Sequence, residues 1–264
     1  MCKMNSRFHR NRDFSLRFRW LIVAFLLSSL LSPAYSFSFV VFGDNHQNDE
    51  LLNLIIDRVN ADPKVAFVVN LGDFVLHGKK EEYLAFKQKI KRVKKPLYNV
   101  QGNHDGVAGG WRNFEKLIGP AYYAFNHEDC RFIVLNNSFR ESFDTAQFNW
   151  LKKQLSAAYG KKIFVFMHKP VFDPSEIYKD YVMSGRAVTD ELTSLFRKYK
   201  VRYVFAGHIH GYAKSERDGV VYVVSGGGGG PLHLPRELGG FYHYVKITVN
   251  GDSIADQVIR PYEN

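Results

Sequence analysis

Phe37-Ser38-Phe39-Val40-Val41-Phe42-Gly43-Asp44-Asn45-His46 is a β-prone run that stops at a glycine and three polar side chains. A short, nearly continuous apolar run bounded by turn residues reads as a buried strand. The arrangement recurs four times. Val65–Leu71 leads into Gly72-Asp73, and Leu97–Val100 leads through Gln101 into Gly102-Asn103-His104-Asp105. Ile163–Met167 leads into His168, and Val201–Ala206 into Gly207-His208-Ile209-His210. In open α/β sheets ligands bind beyond the carboxyl ends of strands, so these ends are expected to converge on one crevice.

Amphipathic stretches separate the runs. Leu51, Leu52, Ile55, Ile56 and Val59 form a helical stripe within 50–60, and Tyr83, Phe86, Ile90 and Val93 another within 81–95. The second carries a basic face around Lys87 and Lys91, read as solvated rather than as a surface for lipid or nucleic acid. A strand pair is expected over 121–126 and 131–135, and a helix opening with an Asp144–Gln147 capping box. A helix over 190–200 follows, then strands at 220–224, 242–249 and 254–259. Strand–helix alternation first and strands later argue for one α/β domain over 37–264 with partly antiparallel sheets. Gly226–Gly230 borders the crevice or forms a flexible hairpin; the sequence leaves both open.

The 264 residues (30.4 kDa) are 45% apolar and 23% charged, which excludes disordered and collagenous chains. The net charge is +10, of which residues 1–36 hold 6 − 1 = +5, leaving 10 − 5 = +5 for the remainder. That is no evidence for nucleic acid. The six early cations precede an apolar stretch, Trp20 to Leu31, and small residues at Ala34 and Ser36. This reads as a secretory signal cut after Ser36, giving an exported protein (periplasmic or extracellular). A stretch of twelve residues is too short for a stable span, which needs ~20. Cys130 is then the only cysteine of the mature chain, read as a buried structural thiol.

With His104 set aside, Asp44, Asp73, Asn103, His46, His168, His208 and His210 are seven donors without sulfur. That set suits manganese, iron or zinc better than calcium or magnesium. Seven donors exceed one tetrahedral site and suit two divalent ions sharing a carboxylate. Two ions, two aspartates and a bridging hydroxide leave a centre of about +1, matched to attack on a phosphate ester.

Taken together, Asp44-x-His46, Gly72-Asp73, Gly102-Asn103-His104-Asp105, His168 and Gly207-His208-x-His210 resemble the signature of the calcineurin-like metallophosphoesterases, complete and in order. The resemblance implies a two-sheet β-sandwich flanked by helices, a four-layer αββα fold. It implies one metal on Asp44, His46, Asp73 and His210, and the other on Asp73, Asn103, His168 and His208, with Asp73 bridging. His104 is then the general acid, with Asp105 orienting its ring. Purple acid phosphatases carry a Tyr ligand where Leu76 stands and Gly at His46, which argues against a purple enzyme. Val107 replaces an Arg that would favour a cyclic-nucleotide enzyme. Phosphodiesterase and phosphomonoesterase both stay open, as does the oligomeric state. The alternative class is an exported non-catalytic or membrane-anchored binding protein on this fold. Lys169, Arg140, Arg186 and His233 are further candidates for contact with substrate.

Overall fold

The structure is a computed structural model that describes Met1 and residues 35–263. The compact unit is Ser36–Asn264. The expected leader lies, apart from Met1, Tyr35 and Ser36, outside the described residues. Among the described residues no helix is long and apolar enough to cross a membrane.

The chain runs β1 (Ser36–Phe42), α1 (Asp49–Ala61), β2 (Val65–Asn70), α2 (Lys80–Ile90), β3 (Leu97–Asn99), α3 (Asn103–Gly106) and α4 (Gly110–Leu117). It continues through β4 (Tyr123–His127), β5 (Cys130–Val134), α5 (Thr145–Ala157), β6 (Lys162–Phe166), α6 (Arg186–Lys198) and β7 (Val201–Ala206). Four strands close it: β8 (Tyr212–Arg217), β9 (Val220–Ser225), β10 (Tyr244–Asn250) and β11 (Ser253–Ile259). One sheet has the order β11-β10-β1-β2-β3 and the other β4-β5-β6-β7-β9-β8. β1, β2 and β3 are parallel in the first sheet, and β5, β6, β7 and β9 in the second; the outer hairpins are antiparallel. This is the expected α/β architecture of two sheets with flanking helices.

Side-chain alternation builds the layers. From β6, Ile163 and Val165 point with Met167 to a cluster that holds Leu151 and Leu155 of α5 and Leu192 and Phe196 of α6. From β1, Val40 and Phe42 meet the apolar stripe of α1. The opposite faces of these strands are aromatic and meet between the sheets. Phe39, fully buried, stacks on Phe67 at 5.1 Å and meets Phe132, Phe164, Phe166 and Phe205 edge-on at 5.3–6.3 Å. One ring of the first sheet thus touches three strands of the second.

Several boundaries differ from the sequence reading. α2 ends at Ile90, not Lys95. Asn60 of α1 takes over there: its amide donates to the Arg92 carbonyl and accepts from the Lys94 N–H, both at 2.8 Å. Pro96 also disfavours helix at Lys95. The basic face of α2 is engaged: Lys89 pairs with Asp49, Arg92 with Asp57, and Lys87 donates to the Leu117 carbonyl. Asp144 caps α5 through the Gln147 N–H, but the Gln147 side chain turns inward. α6 starts at Arg186, four residues before the expected Asp190. β8 was not expected, because an edge strand of sequence Tyr-Ala-Lys-Ser-Glu-Arg shows little apolar alternation. Cys130 is buried, as read.

Phe39→Ala is expected to cost about 3–5 kcal/mol, the usual loss for a buried phenylalanine. Chemical denaturation checks this: the midpoint should fall with an unchanged slope. A loss below about 1 kcal/mol would contradict the packing described.

Candidate metal centre

Each motif sits just past the carboxyl end of its strand: Asp44 and His46 after β1, Asp73 after β2, Asn103 and His104 after β3, His168 after β6, and His208 and His210 after β7. Both sheets present these ends at the same pole. Asp44, Asp73 and His208 adopt left-handed backbone conformations, with φ of 60°, 53° and 67°. Non-glycine residues rarely sit there, and such strain clusters at functional sites. The turns aim side chains back over the strand ends. Gly102 is required by this crowding, since a Cβ there would collide with Asp73 Oδ1 and the Asp73 N–H.

The structure brings the seven donor residues into one rim. Asp73 Oδ2 lies 3.3 Å from His168 Nε2, and His168 Nε2 is 3.0 Å from Asn103 Oδ1. Asp73, His168 and His208 each place one donor atom within 4.8 Å of the others, a spacing one ion can span. Asp44 Oδ1 lies 3.4 Å from His210 Nε2, and the His208 N–H donates to both Asp44 oxygens at 3.1 Å. The His46 ring stands 5.9 Å from that of His210 and 5.4 Å from that of His104.

Carbonyl groups set the tautomers. A carbonyl can only accept, so His168 Nδ1–H donates to Leu71 at 2.9 Å and His210 Nδ1–H to Pro231 at 2.6 Å. Both Nε2 atoms therefore face the rim, an arrangement typical of metal-binding histidines. Both ring nitrogens of His46 are buried without a hydrogen-bond partner, and Asp73 Oδ2 is buried with only the His168 ring facing it, 3.3 Å away. Unsatisfied buried polar atoms are costly unless something else pairs with them. Orphaned donors, lone pairs aimed inward and two carboxylates among imidazoles fit a bound cation.

The charges lean the same way. Burial opposes a proton on His168, but Asp73 outweighs it and pushes the imidazole up to about 9. Burial opposes ionisation of Asp73, but His168 and His104 hold its carboxyl well below the usual range. Burial, His168 and Lys169 push His208 down to about 2, which keeps it a neutral lone-pair donor.

Asp105 departs from expectation. Its carboxylate does not reach the His104 ring. It accepts the backbone N–H groups of Asp73, Phe74, Val75 and Gly102 at 2.8–3.1 Å, and these use both oxygens. Burial and the facing Asp73 carboxylate push Asp105 up to about 7, against the pull of those donors. The His104 ring is held instead by the Leu76 carbonyl, which accepts from Nδ1 at 2.8 Å.

Of the further candidates, His233 stacks on His210 at 4.0 Å and accepts its N–H, and Lys169 is half-buried within electrostatic reach of Asp73. Arg186 is exposed and pairs with Asp190, and Arg140 is exposed; neither has a contact at the rim among the described residues. Gly226–Gly230 is no flexible hairpin. It is buried, with Gly228 and Gly230 donating to the carbonyls of Gly43 and Asp44, and a Cβ at Gly230 would come within 2.6 Å of the His210 ring. Sequence reading missed Asn137, whose side chain accepts from the N–H groups of His168 and Lys169 and donates to the Lys169 carbonyl. Its one signal was a polar pair, Asn136-Asn137, directly after a buried strand.

A family model for calcineurin-like phosphoesterases matches residues 37–212. The chain is 29% identical over 238 residues to the serine/threonine-protein phosphatase CPPED1 of Rattus norvegicus, covering 82% of this chain and 73% of that protein. It is 31% identical over 172 residues to an Arcobacter nitrofigilis protein named "Probable glycerophosphodiester phosphodiesterase GpdQ", covering 61% of this chain and 62% of that protein. The match thus spans less than two thirds of that relative. Among solved structures, purple acid phosphatase PPD1 from yellow lupin (Lupinus luteus) superimposes with a TM-score of 0.73 at 17% identity, over 87% of this chain and 52% of that one. A dimetal phosphatase from Danio rerio gives 0.62 at 15% identity, over 86% and 97%. At such identities the structural likeness concerns the fold alone. The family model, in contrast, spans every motif at the rim, and the chain belongs to the calcineurin-like phosphoesterase family.

Proposed function

We propose that this protein is an exported hydrolase of phosphate esters that works with two divalent transition metal ions, manganese, iron or zinc. The observation that carries the reading is the rim itself: carbonyl-oriented imidazoles and orphaned buried donors around two aspartates. Asp44, His46, Asp73 and His210 would hold one ion, and Asp73, Asn103, His168 and His208 the other. When bound, the ions activate water at neutral pH and draw charge from the phosphoryl oxygens.

The remaining steps belong to side chains. His104 stands beside the rim with Nδ1 donating to the Leu76 carbonyl, so Nε2 is the atom free to carry a proton to the leaving oxygen. Asp105 acts at one remove. By holding the backbone of Asp73, Phe74, Val75 and Gly102, it sets the distance between the Asp73 carboxylate and the Asn103-His104 pair. Asn137 does the same for His168 and Lys169. The glycine tract walls the rim with bare backbone and leaves room for an ester group. Relatives named as a phosphatase and a phosphodiesterase support an ester substrate of either kind.

Asp73→Ala should remove both metals, since Asp73 alone serves each. Elemental analysis of the purified variant checks this, and retention of even one ion at full occupancy would refute the bridging role. His104→Asn should keep both metals and lose ~10²–10⁴-fold in rate on alkyl phosphoesters, the usual worth of general acid catalysis. The loss on nitrophenyl esters, whose leaving group needs no proton, should be clearly smaller. Equal losses would show His104 stabilising the phosphoryl group instead.

Export rests on the basic and apolar N-terminal stretch. Ser36 is the exposed first residue of β1, so cleavage after it leaves the strand from Phe37 intact. Mass spectrometry of protein recovered outside the cell should find Phe37 at the N-terminus, and a mature chain that keeps residues 20–36 would contradict this.

A further inference from the structure

We propose that the pole opposite the metal centre is a docking surface for an anionic membrane. The site residues follow the carboxyl ends of β1, β2, β3, β6 and β7, so the starts of these strands share the other pole. A cleft of about 460 Å³ opens there at the starts of β6 and β7. Lys161, Lys198, Lys200 and Arg202 line it, are exposed, and form no ion pair among the described residues. The two acids in its wall, Asp129 and Asp252, both pair with Lys162, at 2.6 Å and 3.2 Å. The five cations and two acids of the lining leave a net of 5 − 2 = +3, with Lys161, Lys198, Lys200 and Arg202 facing solvent.

A phosphate-bearing solute would also be drawn to such charge. Three features favour a lipid surface. Tyr159 lies among the cations and is 95% exposed, and a ring with an apolar body and a polar tip suits the headgroup level of a bilayer. β1 begins at this pole, so the α-amino group left by removal of residues 1–36 adds a cation to it. Docking here also turns the metal centre away from the bilayer, where soluble esters can reach it. Lys and Arg near an anionic surface attract it individually and additively, and salt screens them.

The test uses the full chain as recovered from an exporting host, with phosphatidylcholine vesicles made with and without phosphatidylserine. Wild-type protein should sediment with the anionic vesicles only and release them at high salt. Lys161→Gln/Lys200→Gln/Arg202→Gln should bind roughly 100-fold more weakly, at about 1 kcal/mol per cation removed. Its melting temperature and its rate on a soluble ester should be unchanged. Removing three cations elsewhere, by Lys116→Gln/Arg140→Gln/Lys179→Gln, should leave vesicle binding near wild type. Equal binding by wild type and cleft variant, or equal binding to both kinds of vesicle, overturns the proposal. Heparin binding tighter than vesicle binding also overturns it, by making the surface a site for a soluble polyanion. Because the readout is sedimentation, failure here leaves the phosphoesterase reading intact.

Discussion

One buried carboxylate, Asp105, takes four backbone N–H groups from two separate strand exits, and the geometry of the metal centre follows from that. Each such hydrogen bond contributes on the order of 1 kcal/mol, more while the carboxylate is charged, and their directionality holds the two loops in register. The loop after β2 could not otherwise keep Asp73 in a left-handed turn. The loop after β3 could not press Gly102 against the Asp73 backbone. Tyr83 of α2 completes the anchor by donating to the Asp105 carbonyl at 2.7 Å. A helix on the outside of the sandwich is thereby tied to the donors at its rim.

The same economy governs the charges. Asp73 is nearly inaccessible to water and faces His168, His104 and Asp105, so its charge has few partners to choose from. Burial alone would neutralise it, and the facing imidazoles keep it ionised. A proton on His168 and a divalent ion at the rim answer the same electrostatic demand, and the ion brings twice the charge. The aromatic layer between the sheets supplies rigidity beneath. Phe39 and its neighbours fill the space under the strand ends, so the five exits cannot drift relative to one another.

Much of this was legible in the residues. Strands with nearly continuous apolar runs and glycine exits were found within a residue or two, because burial leaves few polar positions inside them. All seven donors stand at strand ends, where order along the chain already placed them. The failures have physical causes. The resemblance implies that Asp105 orients His104, whereas in the short α3 successive side chains point in different directions and the Asp105 oxygens are taken by backbone N–H groups. β8 escaped notice because an edge strand can be polar, and the end of α2 was misplaced because a residue from α1 competes for its backbone. For Gly226–Gly230 the sequence leaves a crevice wall and a flexible hairpin both open, since nothing in a glycine run reports what presses against it.

On the proposed reading a single carboxylate, that of Asp73, serves two ions. Crystals of the protein grown with manganese, measured on both sides of the metal's absorption edge, test it most directly. Two anomalous peaks about 3.5–4 Å apart are expected with the Asp73 carboxylate between them, one flanked by Asp44 and His210 and the other by Asn103 and His168. A single peak at full occupancy, or two peaks that share no ligand, would contradict it.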